Sequence, residues 1–147
     1  MKKTIQAAII LLLMCSCSRL QAESGVGYMT TAQFKETIFD YTTQKEWAYK
    51  GNTPCVIDFY TTWCGPCKRL APIMEELSEK YKGKVIFYKA DTEKERELAY
   101  VFQISSIPQV LYIPKSGRPT LLKGLYPKEN IEAIIDELLL GIKKQEQ

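Results

Sequence analysis

Apolar residues recur at helical spacing in four segments of the chain. In the first, Phe34 and Ile38 follow Thr30 and Thr31, a pair typical of a helix start. In the second, Pro72 interrupts the apolar face and predicts a kink, because proline lacks an N–H and clashes with the preceding turn. The predicted helices lie at residues 32–41, 64–81, 93–102 and 127–139.

Between these helices lie four short segments that are rich in β-branched and aromatic residues, which predicts strands. They are found at residues 55–60, 84–91, 108–113 and 119–125. The turn "PKSGR" between the last two predicts an antiparallel hairpin. The order α-β-α-β-α-β-β-α, with an extra strand before the first helix left open, predicts an α/β fold with a central mixed β-sheet and helices on both faces.

The length of the chain indicates one domain, and its charge distribution argues against nucleic-acid binding. The 147 residues, 46% of them hydrophobic, are enough for one well-packed domain, which we place at residues 23–147 and expect to be a monomer. The net charge of +3 comes from Lys2, Lys3 and Arg19, because the rest of the chain holds 17 basic and 17 acidic residues. Without a basic stripe, no nucleic-acid partner is expected.

The first 22 residues resemble a secretory signal peptide. "MKK" precedes an apolar run of about ten residues, which is too short to span a bilayer as a helix. A buried core helix is the weaker alternative, because this run is apolar on all sides. Cleavage after Ala22 and lipidation of Cys17 are both left open. The start looks bacterial, so we expect export to the periplasm or cell envelope, with a lipid anchor if Cys17 is the acceptor.

Three of the five cysteines lie beyond this leader: Cys55, Cys64 and Cys67. Three cysteines cannot form a disulfide framework, so one pair and one leftover remain. A closed zinc site would need four nitrogen or sulfur ligands, and the chain has no histidine and no second CxxC, so no metal is expected. A purely structural disulfide across two intervening residues would close a very small loop and would therefore add little to the stability of the fold. Cys55 is interpreted as a small core residue, with an extra regulatory thiol as the alternative.

The pair Cys64 and Cys67 is better explained as a redox couple. It follows a predicted strand and stands where the next helix begins, so free N–H groups and the helix dipole stabilise a thiolate at Cys64. Cys67, one turn further on, is placed to attack the resulting mixed disulfide. Gly65 and Pro66 keep the turn tight, and a proline costs least in the first turn. No cofactor is expected.

At these residues the chain resembles the thioredoxin family. "WCGPC" stands between "VIDFYTT" and "KRLAPIMEEL", and "ISSIPQVLYI" resembles the stretch that carries the family's cis-proline. Pro108 follows Cys64 by 44 residues, which is the family spacing. The resemblance covers residues 53 to 142 and implies the thioredoxin fold, with Cys64 as the attacking thiol and Cys67 as the resolving thiol.

The resemblance also implies two helpers of the cysteines. Asp58 would be a buried acid that moves the proton of Cys67, and Lys89 would lie near Asp58 and modulate it. A solvent-facing strand acid and a surface lysine are the alternatives. The apolar neighbours of Asp58 favour burial and a raised pKa.

A substrate-binding surface is implied as well. Trp63 would shield the disulfide, and Pro108 would be cis and let a substrate strand pair with its backbone beside the sulfurs. Pro108 as a trans residue at a strand start and Gly124 as a bulge glycine are the alternatives. The implied substrate-binding residues are Trp63, Gly65, Pro66, Ile107, Pro108 and Gly124.

The direction of electron flow is predicted from the residues around the cysteines. Gly65, Pro66 and Ile107 resemble those of reducing members, whereas oxidants more often carry a histidine between the cysteines. The chain is therefore predicted to reduce disulfides of envelope proteins and to receive electrons from a membrane donor. A disulfide oxidant or isomerase and a non-catalytic binding module are the alternatives.

Overall fold

The computed structural model describes residues 25–142. The predicted signal peptide, its cleavage after Ala22 and the lipidation of Cys17 lie outside the described residues. The elements in chain order are β1 (Gly27–Tyr28), α1 (Thr31–Thr37), β2 (Cys55–Tyr60), α2 (Gly65–Lys80), β3 (Ile86–Asp91), α3 (Arg96–Val101), β4 (Gln109–Ile113), β5 (Thr120–Lys123) and α4 (Lys128–Ile134).

The five strands form one mixed sheet in the order β1-β3-β2-β4-β5. Strands β1 and β2 pair parallel with β3, whereas β4 pairs antiparallel with both β2 and β5. The predicted hairpin and the extra strand before α1 are therefore present. One apolar cluster packs α2 and α4 on the sheet, and another packs α1 and α3, so the prediction of helices on both faces is confirmed.

Strand β2 lies at the centre of the sheet and contributes to both clusters. Cys55, Ile57 and Phe59 belong to the cluster under α1 and α3, whereas Val56 belongs to the cluster under α2 and α4. Successive strand residues point to opposite faces, so Asp58 lies on the same face as Val56. This parity puts the acid under α2, the helix that begins at the cysteine pair.

Two helices are shorter than their apolar patterns. Thr30 caps α1 through a capping box with Gln33, but the helix ends at Thr37. The carboxylate of Asp40 accepts hydrogen bonds from both the backbone and the hydroxyl of Thr42, a local turn that competes with a further helical turn. Residues before Arg96 likewise form a turn around Asp91 rather than the start of α3.

The two long helical segments of the sequence are both present. Helix α2 continues through Pro72 to Lys80. Helix α4 passes into a π-helical turn at Ile135–Leu139, which the apolar stripe of this segment did not predict. Among residues 25–142, no helix is both long enough and apolar enough to cross a membrane.

Candidate active site

Cys64 and Cys67 are joined by a disulfide at the start of α2, with their Cα atoms 5.3 Å apart. Cys64 is the N-cap residue of this helix, and the backbone N–H of Cys67 donates to its Sγ at 3.2 Å. After reduction, this N–H and the helix dipole would stabilise a thiolate on Cys64. The site is therefore built to make the first cysteine the stronger nucleophile.

Exposed residues surround the buried cysteines of the disulfide. Both sulfur-bearing residues are buried, whereas Trp63, Gly65 and Pro66 are exposed around them. The Trp63 indole Nε1–H donates to Glu93 Oε1 at 3.0 Å, which fixes the ring although 66% of it is exposed. Trp63 thus stands beside the disulfide as an oriented aromatic surface.

Asp58 lies beneath the disulfide on the α2 face of the sheet. Its side chain is 4% exposed, and within the described residues its Oδ1 has no hydrogen-bond partner. Burial raises the pKa of Asp58 from 3.8 to about 7, although Lys89 acts in the opposite direction. The alternative of a solvent-facing strand acid is excluded, and the carboxyl can hold or release a proton near neutral pH.

A small cavity of about 80 Å³ connects Asp58 with Cys67. This volume is large enough for water, because one water molecule needs a cavity of about 10–15 Å³. A bound water also needs two or more polar partners. A surface groove of about 300 Å³ shares Tyr60, Cys67, Ala71 and Lys89 with this cavity. The cavity and the groove together lead from Asp58 past Cys67 to the surface, so water entering there would link the acid, the second cysteine and solvent.

Lys89 stands directly opposite Asp58 in the parallel pairing of β2 with β3. Its Nζ is 4.0 Å from Glu75 Oε1 and lies over the Tyr28 ring, 4.7 Å from the centroid. Within residues 25–142, no ion pair joins Lys89 to Asp58. Lys89 is therefore near the acid, as the resemblance implied, but its charge is directed toward Glu75.

The peptide bond between Ile107 and Pro108 is cis, as the sequence analysis expected. The pairing of Phe59 with Gln109 places Pro108 at the end of β2 from which the chain continues to Cys64.

The Pro108 carbonyl accepts the N–H of Gly124 at 2.9 Å. Gly124 has a φ of +99°, a conformation that L-residues rarely adopt, and an added Cβ would point into open space. The backbone conformation itself therefore requires this glycine.

Cys55 begins β2 and is fully buried on the other face of the sheet. Burial raises the pKa of its thiol to about 12, although a contact with the Tyr49 hydroxyl, 3.7 Å from Sγ, acts against this rise. This agrees with the interpretation of Cys55 as a small core residue.

Two acids of this region were missed by the sequence analysis, Glu75 and Glu93. Glu93 follows the end of β3, which lies beside β2, so its position after a strand was a usable signal. Glu75 is one of several charged residues on α2 and has no distinguishing local pattern. Its contact with Lys89 exists only because α2 packs across β3.

Comparison with known proteins gives a consistent result. The family model described as Thioredoxin matches residues 26–137. A thioredoxin of Borreliella burgdorferi is 42% identical over 109 residues, covering 74% of this chain and 93% of the relative. A thioredoxin of Staphylococcus aureus is 40% identical over 85 residues, covering 57% of this chain and 81% of the relative.

A solved structure extends this similarity to the fold. The crystal structure of chloroplastic thioredoxin z, which defines a type-specific target recognition for that protein, has a TM-score of 0.65. It is 26% identical and covers 78% of this chain and 94% of its own.

Proposed function

The chain belongs to the thioredoxin family, and we propose that it reduces disulfides of proteins in the bacterial cell envelope, to which its first 22 residues, similar to a secretory signal peptide, would export it. Its activity is that of a thiol-disulfide oxidoreductase of the protein-disulfide reductase type. The observation that carries the proposal is the N-capping Cys64 above a cavity shared by Cys67 and the buried Asp58.

In the proposed reaction, the Cys64 thiolate attacks one sulfur of a client disulfide and releases the other client sulfur as a thiolate, which takes a proton from solvent. Asp58 accepts the proton of Cys67 through the cavity, and the Cys67 thiolate then attacks Cys64 Sγ. The second client thiol leaves, and two electrons have passed from the cysteine pair to the client. The disulfide between Cys64 and Cys67 seen in the structure is the oxidised product of this cycle.

The remaining site residues are assigned to binding. A client strand would lie against the backbone of Ile107 and Pro108, with the exposed Trp63, Gly65 and Pro66 forming the rim. Gly124 supports this surface through its N–H, which binds the Pro108 carbonyl. A dithiol donor in the membrane would return the oxidised pair to its reduced form.

The direction of electron flow is tested by the redox potential of the Cys64–Cys67 couple. Equilibration with glutathione buffers should give a value near the −270 mV known for thioredoxin, about 150 mV below that of the periplasmic oxidant. A value above about −200 mV would overturn the reductase direction and favour the oxidant or isomerase. Failure to reduce insulin with dithiothreitol present would instead favour a binding module.

Clients are identified with a Cys67→Ser variant, which leaves the mixed disulfide on Cys64 unresolved. It should capture proteins of the cell envelope that carry disulfides, whereas the control Cys64→Ser captures none. Capture of secreted proteins in their reduced form would support the oxidant instead.

Export is tested separately, by fractionation of cells and by the mass of the purified chain. Cleavage after Ala22 would give a soluble envelope protein. Lipidation at Cys17 would give a membrane-bound one that a Cys17→Ala variant releases. An uncleaved chain in the cytoplasm would refute export.

A further inference from the structure

The carboxylate of Glu75 connects three separate parts of the fold. Its Oε2 accepts the backbone N–H of Val26 at 3.2 Å, and its Oε1 pairs with Lys89 Nζ at 4.0 Å. Helix α2 is thereby joined to the segment that enters β1 and to the lysine of β3. Val26 immediately precedes β1, so this contact holds the segment that enters the first strand.

All three of these residues also line the cavity that holds Asp58 and Cys67. Asp58 is at its closed end, whereas the Glu75 side chain is half exposed, which places Glu75 toward solvent. We propose that Glu75 is a positioning residue for proton transfer between Asp58 and Cys67. It directs Lys89 away from Asp58 and fixes Val26 as a wall of the cavity. The inference rests on the proposed function, because it concerns the same proton.

The charges around Asp58 determine the direction in which Glu75 shifts its pKa. The titratable groups that face Asp58 are Lys89 from β3, Cys67 and Glu75 from α2, Tyr60 from its own strand and Tyr112 from β4. Among these, Lys89 is the cation that favours the carboxylate. An ion pair with Glu75 neutralises part of this effect, so Asp58 keeps its proton up to a higher pH.

Removing the charge of Glu75 should therefore lower the pKa of Asp58. In Glu75→Gln, Lys89 is free to approach Asp58, while the amide oxygen of glutamine still accepts the Val26 N–H. We expect the pKa of Asp58 to fall by about 0.5, a modest change because Glu75 is half exposed and partly screened. The carboxyl is titrated by ¹³C NMR in the oxidised full-length protein, where Cys67 does not titrate and no client is needed.

The control is Glu76→Gln, one residue further along the same helix. Glu76 pairs with Lys128 at the surface and does not line the cavity. This variant removes the same charge from α2 and should leave the pKa of Asp58 unchanged. Equal pKa values for Asp58 in Glu75→Gln, Glu76→Gln and the unmodified chain would overturn the inference.

A second comparison tests whether Glu75 acts through Lys89. In a Lys89→Met background, Glu75→Gln should change the pKa of Asp58 much less than in the unmodified chain. An equal change in both backgrounds would mean that Glu75 acts directly, and the positioning role would be wrong.

A kinetic measurement links this titration to the reaction. A fall of about 0.5 in the pKa of Asp58 raises its ionised fraction about 2.5-fold at pH 6 and hardly at all at pH 8. Resolution of a preformed mixed disulfide on Cys64 should accelerate by up to that factor at pH 6 in Glu75→Gln. If the rate does not change while the pKa of Asp58 falls, Asp58 is not the base for Cys67. In that case the proposed mechanism fails, and the electrostatic role of Glu75 stands.

Discussion

The Asp58 carboxyl and the Cys67 side chain line the same cavity of about 80 Å³, although one lies on a strand and the other in the next helix. The acid has no hydrogen-bond partner on its Oδ1 within the described residues. A buried carboxyl without such partners favours its neutral form, which raises its pKa.

Asp58→Asn should stabilise the fold at alkaline pH. The pKa of Asp58 is about 7 in the folded chain and 3.8 ordinarily, so the folded state binds this proton more tightly. Stability is therefore lost as the pH rises from about 4 through 7, and asparagine removes that loss. Urea unfolding at pH 8.5 should show a gain on the order of 2–4 kcal/mol that disappears near pH 3.5. The control is Asp40→Asn, a partly exposed acid whose pKa is lowered by hydrogen bonds from Thr42, which should give no such gain.

The same variant should slow the reaction. Without the Asp58 carboxylate, Cys67 loses the buried base in its cavity, and the half-exposed Glu75 lies toward solvent, so the mixed disulfide on Cys64 should persist longer. We expect a loss of about 10²-fold in the resolution rate at pH 7.5, a size typical of one general base. In the unmodified chain this rate should rise with pH around 7, and in Asp58→Asn that rise should be absent. Stopped-flow measurements with a client peptide disulfide follow both, and an unchanged pH profile would exclude Asp58 as the base.

Glu93→Ala should release the Trp63 indole from its fixed orientation. The hydrogen bond from Nε1 to a carboxylate is lost, so client binding should weaken by about two- to fivefold in kcat/KM. Glu93→Gln keeps an acceptor oxygen and should retain most of the activity. Indole fluorescence in a Trp47→Phe background reports the Trp63 orientation directly. Identical fluorescence in all three proteins would mean that Glu93 does not hold the ring.

Gly124→Ala should reduce both stability and client binding. Its φ of +99° strains any L-residue, which should cost about 1–2 kcal/mol in unfolding free energy. The matched control is Gly117→Ala in the β4–β5 turn, where φ is +92°. Both variants should lose similar stability, but only Gly124→Ala should raise KM for a client disulfide, because backbone strain at residue 124 displaces the N–H that binds the Pro108 carbonyl. An equal rise in KM for both would remove Gly124 from the binding surface.

Cys55 should not react with thiol reagents in the folded protein. Its thiol is buried and has a pKa of about 12, so almost no thiolate exists at neutral pH. After mild reduction, iodoacetamide should label Cys64 first, and mass spectrometry of peptides should find Cys55 labelled only after unfolding. Labelling of native Cys55 at a rate comparable to Cys64 would revive the hypothesis of a regulatory thiol.

Much of the site could be predicted because its signals are local in sequence. The CxxC pair after a strand indicates a helix N-terminus, and the apolar neighbours of Asp58 indicate burial. By contrast, Glu75 binds Val26, 49 residues away, and Glu93 binds Trp63, 30 residues away. No periodic pattern encodes such pairs, since they depend on how α2 and the end of β3 pack against other elements.

The alternation of helices and strands, the mixed sheet and the redox pair can all be predicted from the sequence, because hydrophobic periodicity and motif spacing act over a few residues. Helix ends were less predictable, since side chains such as Asp40 offer the backbone competing hydrogen bonds. Tertiary packing, which no local pattern encodes, covers the face of β2 that carries Asp58 with the helix of Cys67. It also directs Lys89 to Glu75 rather than to the acid beside it. Packing determines which charged groups share a low-dielectric cavity, and these groups set the pKa of Asp58, on which the proposed chemistry depends.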